Sequence, residues 1–178
     1  MSQGLQEWEQ RLAALWRQLD AITPAELVAG VDALAAELPA DDAVALFERA
    51  CARDTAGQEA AAEQLYRAAL ASERLDPYRQ ARASIQLGSS LRLLGQLEES
   101  ERLITAQLQR YADPAYGTAL HDETRAILAL TYLMQGRAVE AACLALTTLA
   151  PHLSRYNRSV AGNAAEILKN TALESSWS

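Results

Sequence analysis

Three glycines, each lying between two segments with a helical pattern, limit the fold of this chain more than any other feature. They are Gly57, Gly95 and Gly136, and they lie 38 and 41 residues apart. A repeat of this length is typical of proteins made from stacked helix pairs, in which each pair buries its apolar face against the next. The spacing therefore predicts three helix pairs between residues 43 and 150.

The amino-acid composition favours helices over strands throughout the chain. Alanine and leucine together supply 65 of the 178 residues, whereas valine and isoleucine supply five each. Alanine and leucine lose little conformational freedom in a helix, and the β-branched residues that favour strands are scarce. We therefore predict an all-α protein with essentially no sheet.

Start and stop signals place the individual helices. Thr23, Pro24 and Glu26 form a capping box with proline at the first helical position, and Asp42 and Asp76 are further N-cap candidates. Apolar residues recur at spacings of three and four after each of these signals. The predicted helices cover residues 3–20, 24–38, 43–54, 58–71, 77–94, 96–110, 121–135, 137–149 and 158–170.

The order of these helices suggests three parts within one structural domain. Residues 1–40 form an N-terminal helical cap of two helices, residues 43–150 form the three helix pairs, and residues 151–178 form a C-terminal helix and tail. No segment rich in glycine and serine, or in proline, separates these parts. We therefore expect a single domain.

Small residues recur at corresponding positions of the three predicted pairs, where two helices must approach closely. In the first helix of each pair they are Ala50, Gly88 and Ala129, and in the second helix they are Ala62, Ser100 and Ala141. With the glycines between the helices, this pattern resembles the tetratricopeptide repeat (TPR) family over residues 43–150. It is similar in particular to small uncharacterised bacterial TPR proteins with elongated repeats, some of them thought to be dimers.

The resemblance implies an α-α superhelix of about three TPR-like helix pairs, with extra N-terminal and C-terminal helices. The pairs are four and seven residues longer than the 34-residue unit of the family. The early tryptophan position of the family is occupied here by Leu46, Ser84 and Arg125. We therefore expect lengthened helices or longer connections between the pairs.

No group of residues indicates a catalytic or metal site. The chain has two histidines, His121 and His152. His121 is followed by Asp122 and Glu123, but adjacent helical residues project about 100° apart and do not converge on one ion. Acidic residues at a helix start are explained by the helix dipole. We predict a protein that is not an enzyme and has no metal or cofactor.

Charge and cysteine usage limit the partners and the compartment. The net charge is −7 and the pI is near 4.9, whereas binding to nucleic acid or to an anionic membrane surface requires clustered basic residues. No leader-like segment or uncharged membrane-length run is present in the sequence. Cys51 and Cys143 lie within helical patterns and are expected to be buried thiols. We expect a cytoplasmic protein.

The resemblance also implies a concave groove lined by the first helix of each pair. The residues it assigns to a peptide-binding groove are Phe47, Arg79, Arg82, Ile85, Ser89, Arg92, Leu130 and Leu133. The lysine and asparagine set of the family's carboxylate clamp is absent. Two readings of the arginines stay open: they hold a carboxylate-bearing peptide, or they pair with acids of neighbouring helices such as Asp54 or Glu123.

A second candidate surface lies on the first helix. Trp8 and Trp16 are eight residues apart and therefore share one face. This face either covers the end of the helical stack within the chain or forms a homodimer contact, where aromatic anchors are common. The sequence as a whole predicts a non-catalytic protein-interaction module or scaffold. One form of this hypothesis adds that the module associates with itself. The alternative is a helical-repeat regulator that binds a small molecule or a signalling peptide.

Overall fold

The computed structural model describes residues 3–175, and residues 176–178 of the predicted tail lie outside this range. Over the described residues the secondary structure is helical, with no strand. The α-helices are α1 (Gln3–Trp16), α2 (Pro24–Ala35), α3 (Ala43–Thr55), α4 (Glu59–Ala71), α5 (Pro77–Leu93), α6 (Leu97–Arg110), α7 (His121–Met134), α8 (Ala138–Leu149) and α9 (Asn157–Ser175). A 3-10 turn, Ala150–His152, follows α8. The all-α prediction is confirmed.

The helix boundaries lie within one residue of the predicted ones except at the C-terminal ends of α1, α2 and α9, and α2 ends at Ala35, three residues before the predicted end at residue 38. The capping box of α2 is present, with Thr23 and Glu26 bonded to each other's backbone amides. Helix α1 ends at Trp16, four residues early, and the following Leu19 is exposed and contributes no buried face to extend the helix. Helix α9 continues to Ser175 instead of ending near residue 170.

The expected lengthening of the repeats lies in one helix and one connection. Helix α5 has 17 residues, the longest helix before α9. The connection between α6 and α7 covers residues 111–120 and is closed internally by Asp113, whose carboxylate accepts a hydrogen bond from the amide of Ala115 at 2.9 Å.

Helices α3 and α7 both end in a glycine with a left-handed backbone conformation. Gly57 and Gly136 have φ angles of +70° and +79°, a left-handed conformation that glycine adopts without steric cost. The amide of the following residue then reaches back to the last turn: Gln58 donates to the carbonyl of Arg53, and Arg137 donates to the carbonyl of Tyr132, both at 2.9 Å. These bonds satisfy helix-end carbonyls and turn the chain into the next helix.

The chain forms two compact units, Met1–Leu94 and Gly95–Ser178. In the first unit, α3 packs against α2, α4 and α5, and α4 also packs against α5. Its N-terminal core is built from Trp8, Leu12, Leu27, Val31 and Ala52. In this unit the small repeat residues Ala50, Ala62 and Gly88 are buried, as the close approach of helices requires.

The second unit is a series of neighbouring helices in chain order. Helix α6 packs against α7, α7 against α8, and α8 against α9. A buried hydrogen bond of 3.0 Å joins the hydroxyls of Ser100 and Thr131, and the small residues Ala129 and Ala141 are buried. One face of the α7–α8 pair lies beside α9, and another is turned away from it.

Candidate functional site

Arg79 is committed to an ion pair within the first unit. Its Nη2 atom donates to both carboxylate oxygens of Glu9 on α1, at 2.7 and 2.8 Å, and Nη1 donates to Asp76 at 3.1 Å. Burial opposes the charge of Arg79, but Glu9 and Asp76 outweigh it and raise the pKa of the guanidinium. Arg79 therefore pairs with acids of its own unit, although neither acid is one of the two named from the sequence.

Phe47 of α3 is buried and packs against neighbouring side chains of the first unit. Its side chain is fully buried, its ring lies 6.3 Å from that of Tyr66, and the Arg82 guanidinium covers it at 5.1 Å from the centroid. Arg82 is half-buried and forms no ion pair with another described residue. Phe47 thus offers no surface to a peptide, and its contribution is to hold Arg82 in place.

The remaining predicted residues of α5 differ in accessibility. Ile85 is buried, and Ser89 is half-buried and accepts a hydrogen bond from Nη2 of Arg92 at 3.2 Å. The predicted groove residues of the first unit therefore form a polar face with little exposed apolar area.

Both tryptophans of α1 make contacts within the chain. Trp8 is 2% exposed, and its indole N–H donates to the carbonyl of Leu34 at 2.8 Å. Trp16 is half-buried, and its indole N–H donates to the carboxylate of Glu48 at 2.9 Å. Trp8 therefore has almost no exposed area left for a partner, whereas half-buried Trp16 keeps part of its surface.

Leu130 and Leu133 lie together in an apolar groove of the second unit. The groove has a volume of about 630 Å³ and runs between α7 and α8 on the side away from α9. Leu130 is 42% exposed and Leu133 52% exposed, although both are large apolar side chains. The lining residues are Asp122, Ala126, Ala129, Leu130, Leu133, Ala141, Ala142, Ala145, Thr148, Leu149 and His152.

The groove arises from the sequence pattern of the two helices. On α7 its residues recur at spacings of three and four, and on α8 the corresponding positions are mostly alanine. The short alanine side chains of α8 form a low floor beside the leucines of α7. Leu130 and Leu133 were assigned to a groove at the sequence level, whereas the alanines of α8 were not, because Ala141 was read as a small residue at a helix crossing and the others as ordinary helix formers.

A histidine–aspartate–histidine chain closes one end of the groove. Asp122 accepts a hydrogen bond from Nε2 of His152 at 2.9 Å and lies 3.3 Å from Nδ1 of His121. The hydrogen bond from His152, with the one from His121, lowers the pKa of the Asp122 carboxyl. His152 was not predicted as a site residue, because its contact with Asp122 joins residues thirty positions apart.

Two observations on the described residues concern metal binding and the reactivity of Cys51. Within residues 3–175 no three histidine, cysteine or acidic side chains are grouped to hold a metal ion. Burial raises the pKa of the Cys51 thiol to about 12, and its Sγ lies 3.2 Å from Oε1 of Gln86. A thiol in this state is a poor nucleophile. Over the same range no helix has the length and apolar character to cross a bilayer.

Comparison with known families agrees with this helical architecture. A family described as tetratrico peptide repeat matches residues 43–167, which include α3 to α8 and part of α9. No match was found among curated proteins or among solved structures. The match covers more than two thirds of the sequence, and the described residues are helical with glycine turns at the repeat positions. The chain belongs to the tetratricopeptide repeat family.

Proposed function

We propose that this chain is a non-catalytic protein-interaction module, and that the groove between α7 and α8 binds a helix of its partner. The family in general consists of protein-interaction modules and supports the broad part of this proposal. The observation that carries the specific part is the exposed apolar groove itself.

The groove has the composition of a binding surface. Single exposed leucines are common on soluble proteins, but contiguous apolar patches usually mark an interaction site. Leu130, Leu133 and Leu149 are each more than two fifths exposed and line one groove. Burying them against a partner would remove this apolar surface from water and stabilise the complex.

The shape of the groove favours an amphipathic helix as the bound element. Leucines of α7 border an alanine floor on α8, and large apolar side chains spaced three, four and seven residues apart on a partner helix fit such a channel. Asp122 and His152 lie at one end of the lining and are paired with each other, so the central contacts are apolar. Specificity would then depend on side-chain size more than on charge.

Substituting the groove leucines tests this proposal. We expect the double substitution Leu130→Asp and Leu133→Asp to abolish capture of a specific subset of host proteins, because two carboxylates would be buried in an apolar interface. The measurement is affinity capture from host lysate with quantitative mass spectrometry, followed by titration of each captured protein against the purified variants.

Leu146→Asp is the matched control, because Leu146 is 41% exposed on α8 and does not line the groove. The control should retain the full set of partners, and thermal unfolding should show that both variants are folded. An identical set of captured proteins for the wild type and the double variant would refute the groove as the binding site.

The charge and the cysteines of the chain limit its partners and its compartment. The acidic net charge argues against a nucleic-acid or membrane-surface partner. Cys51 and Cys143 are buried free thiols, which are typical of a reducing compartment such as the cytoplasm. We also propose that the chain associates weakly with itself through the groove between α7 and α8, called the leucine groove below, rather than through Trp8.

A second candidate function is regulation by a bound small molecule. It is favoured by a separate pocket among α7, α8 and α9, on the other face of the α7–α8 pair.

A further inference from the structure

We propose that the pocket among α7, α8 and α9 binds a small amphiphilic carboxylate, with Arg125 holding the carboxylate and the aliphatic lining holding the hydrocarbon part. The pocket has a volume of about 370 Å³, within the usual range for small-molecule sites. Its lining residues are Arg125, Leu128, Tyr132, Glu140, Cys143, Leu144, Thr147, Ala164, Ala165 and Leu168. The site is independent of the protein-binding groove.

Arg125 is the residue that points to an anionic ligand. Its Nε atom is buried and has no hydrogen-bond partner among the described residues. The half-buried side chain also forms no ion pair within residues 3–175. A buried donor without a partner is unfavourable, and a bound carboxylate would satisfy it with a charge-assisted, two-pronged hydrogen bond.

Glu140, the acidic residue of this lining, is already paired. Glu140 accepts hydrogen bonds from Arg137, including one from Nε at 2.8 Å, and this bond lowers the pKa of the Glu140 carboxyl. Arg137 also donates to Glu101 at 2.8 Å and lies 4.0 Å from the ring centroid of Tyr132. The carboxylates of this network are committed to Arg137, and none of them pairs with Arg125.

The rest of the lining defines the apolar part of that ligand. Leu128, Leu144 and Leu168 come from three different helices and surround the cavity, and the alanines of α9 leave room between them. The hydroxyl of Thr147 already donates to the carbonyl of Cys143 at 2.7 Å. These groups favour a hydrocarbon chain or ring with a single carboxylate over a sugar or a nucleotide.

The two faces of α7 keep this pocket apart from the groove. Arg125, Leu128 and Tyr132 line the pocket, whereas Leu130 and Leu133 line the groove. Residues at these spacings project to different sides of a helix with 3.6 residues per turn. Methyl signals from the two sets of leucines therefore report the two sites separately.

Octanoate is the probe for the test, with 1-octanol as its uncharged counterpart. Titration of the full-length chain followed by methyl NMR should shift the signals of Leu128, Leu144 and Leu168 at saturable octanoate concentrations. Octanol should bind at least about tenfold more weakly, because it lacks the charge-assisted bond to Arg125. No saturable shift with octanoate, or shifts confined to Leu130 and Leu133, would overturn the proposal.

Substitutions assign the binding to Arg125. We expect Arg125→Met to weaken octanoate binding by about tenfold or more and to leave octanol binding nearly unchanged. Arg102→Met removes the same charge at an exposed position of α6 and should bind octanoate as the wild type does. Equal octanoate affinities for Arg125→Met and the wild type would overturn the role of the guanidinium.

A variant that fills the pocket tests the location of the site if Arg125→Met does not fold. Ala165→Trp adds bulk at an exposed position of the lining without changing any charge. It should abolish the octanoate-induced shifts while the leucines of the protein-binding groove keep their signals. Wild-type affinity in this variant would contradict the location of the site, and neither result depends on whether the groove binds a partner.

Discussion

Glu48 shows how a single residue of α3 is held in an unfavourable state by the tertiary structure. Its side chain is buried in the first unit, and this burial raises the pKa of the carboxyl. The hydrogen bond from the indole of Trp16, and the charges of Arg82 and Arg79, oppose that shift without cancelling it. The ionised carboxylate is therefore stabilised by its surroundings but less well than by water.

The raised pKa of Glu48 predicts a pH-dependent stability. An acid with a higher pKa in the folded state binds its proton more tightly there, so its contribution to stability is largest below the ordinary value of 4.5 and is lost as the pH rises through the raised value. Glu48→Gln keeps an acceptor for the Trp16 indole but does not ionise. We expect its stability relative to wild type to increase as the pH rises from about 4 to 7.

Urea unfolding at a series of pH values measures this difference. Glu166→Gln, at an exposed position of α9, is the control and should show little change relative to wild type over the same range. A constant difference between Glu48→Gln and the wild type at all pH values would contradict the raised pKa.

At the scale of helices and turns, substitution of glycine by alanine should have opposite effects on stability at two positions. One glycine follows α7 and the other lies inside α9. Gly136 has φ +79° and Gly162 has a helical φ, and a β-carbon would meet no atom within 4 Å at either position. Only the backbone conformation then decides the effect. Gly136→Ala should lower the free energy of unfolding by about 1 kcal/mol, because alanine is strained in the left-handed region.

Gly162→Ala should raise the free energy of unfolding by about 0.5 to 1 kcal/mol, because alanine loses less conformational entropy in a helix interior. Chemical denaturation of both variants checks the pair, and each serves as the control of the other. A stabilising effect of Gly136→Ala would show that the turn after α7 does not require the left-handed conformation.

For the molecule as a whole, the leucine groove predicts weak self-association. Sedimentation equilibrium of the wild type should show an average mass that rises with concentration at tens of micromolar, since the exposed leucines of one copy gain from burial against another. Leu133→Asp should restore the monomer mass, and Leu146→Asp should not. A monomer at all concentrations would rule out this contact.

The burial of Trp8 argues against this residue as a contact between copies of the chain. Trp8 lies in the core of the first unit, so its substitution would act through folding rather than through a partner. Effects of Trp8 variants on assembly would therefore have to be separated from loss of stability.

Local signals in the sequence determined the helices and the family. The capping box at Thr23, the glycines at positions 57 and 136 and the small residues at the helix crossings act within a few residues of where they stand. Such short-range rules can be read without knowing the fold. With the composition they predicted the all-α architecture, the order of the helices and the repeat, whereas Leu130 and Leu133 were assigned to a groove by the resemblance to the family.

The tertiary structure alone decided which of the predicted surface residues are accessible and which are paired. Arg79 pairs with Glu9, 70 residues away, His152 pairs with Asp122, 30 residues away, and Phe47 is buried beneath Arg82. Only the packing of α7, α8 and α9 shows that the Nε atom of Arg125 is buried without a hydrogen-bond partner among the described residues. Contacts over such distances depend on how helices pack, and helical periodicity carries no information about the partner across the interface.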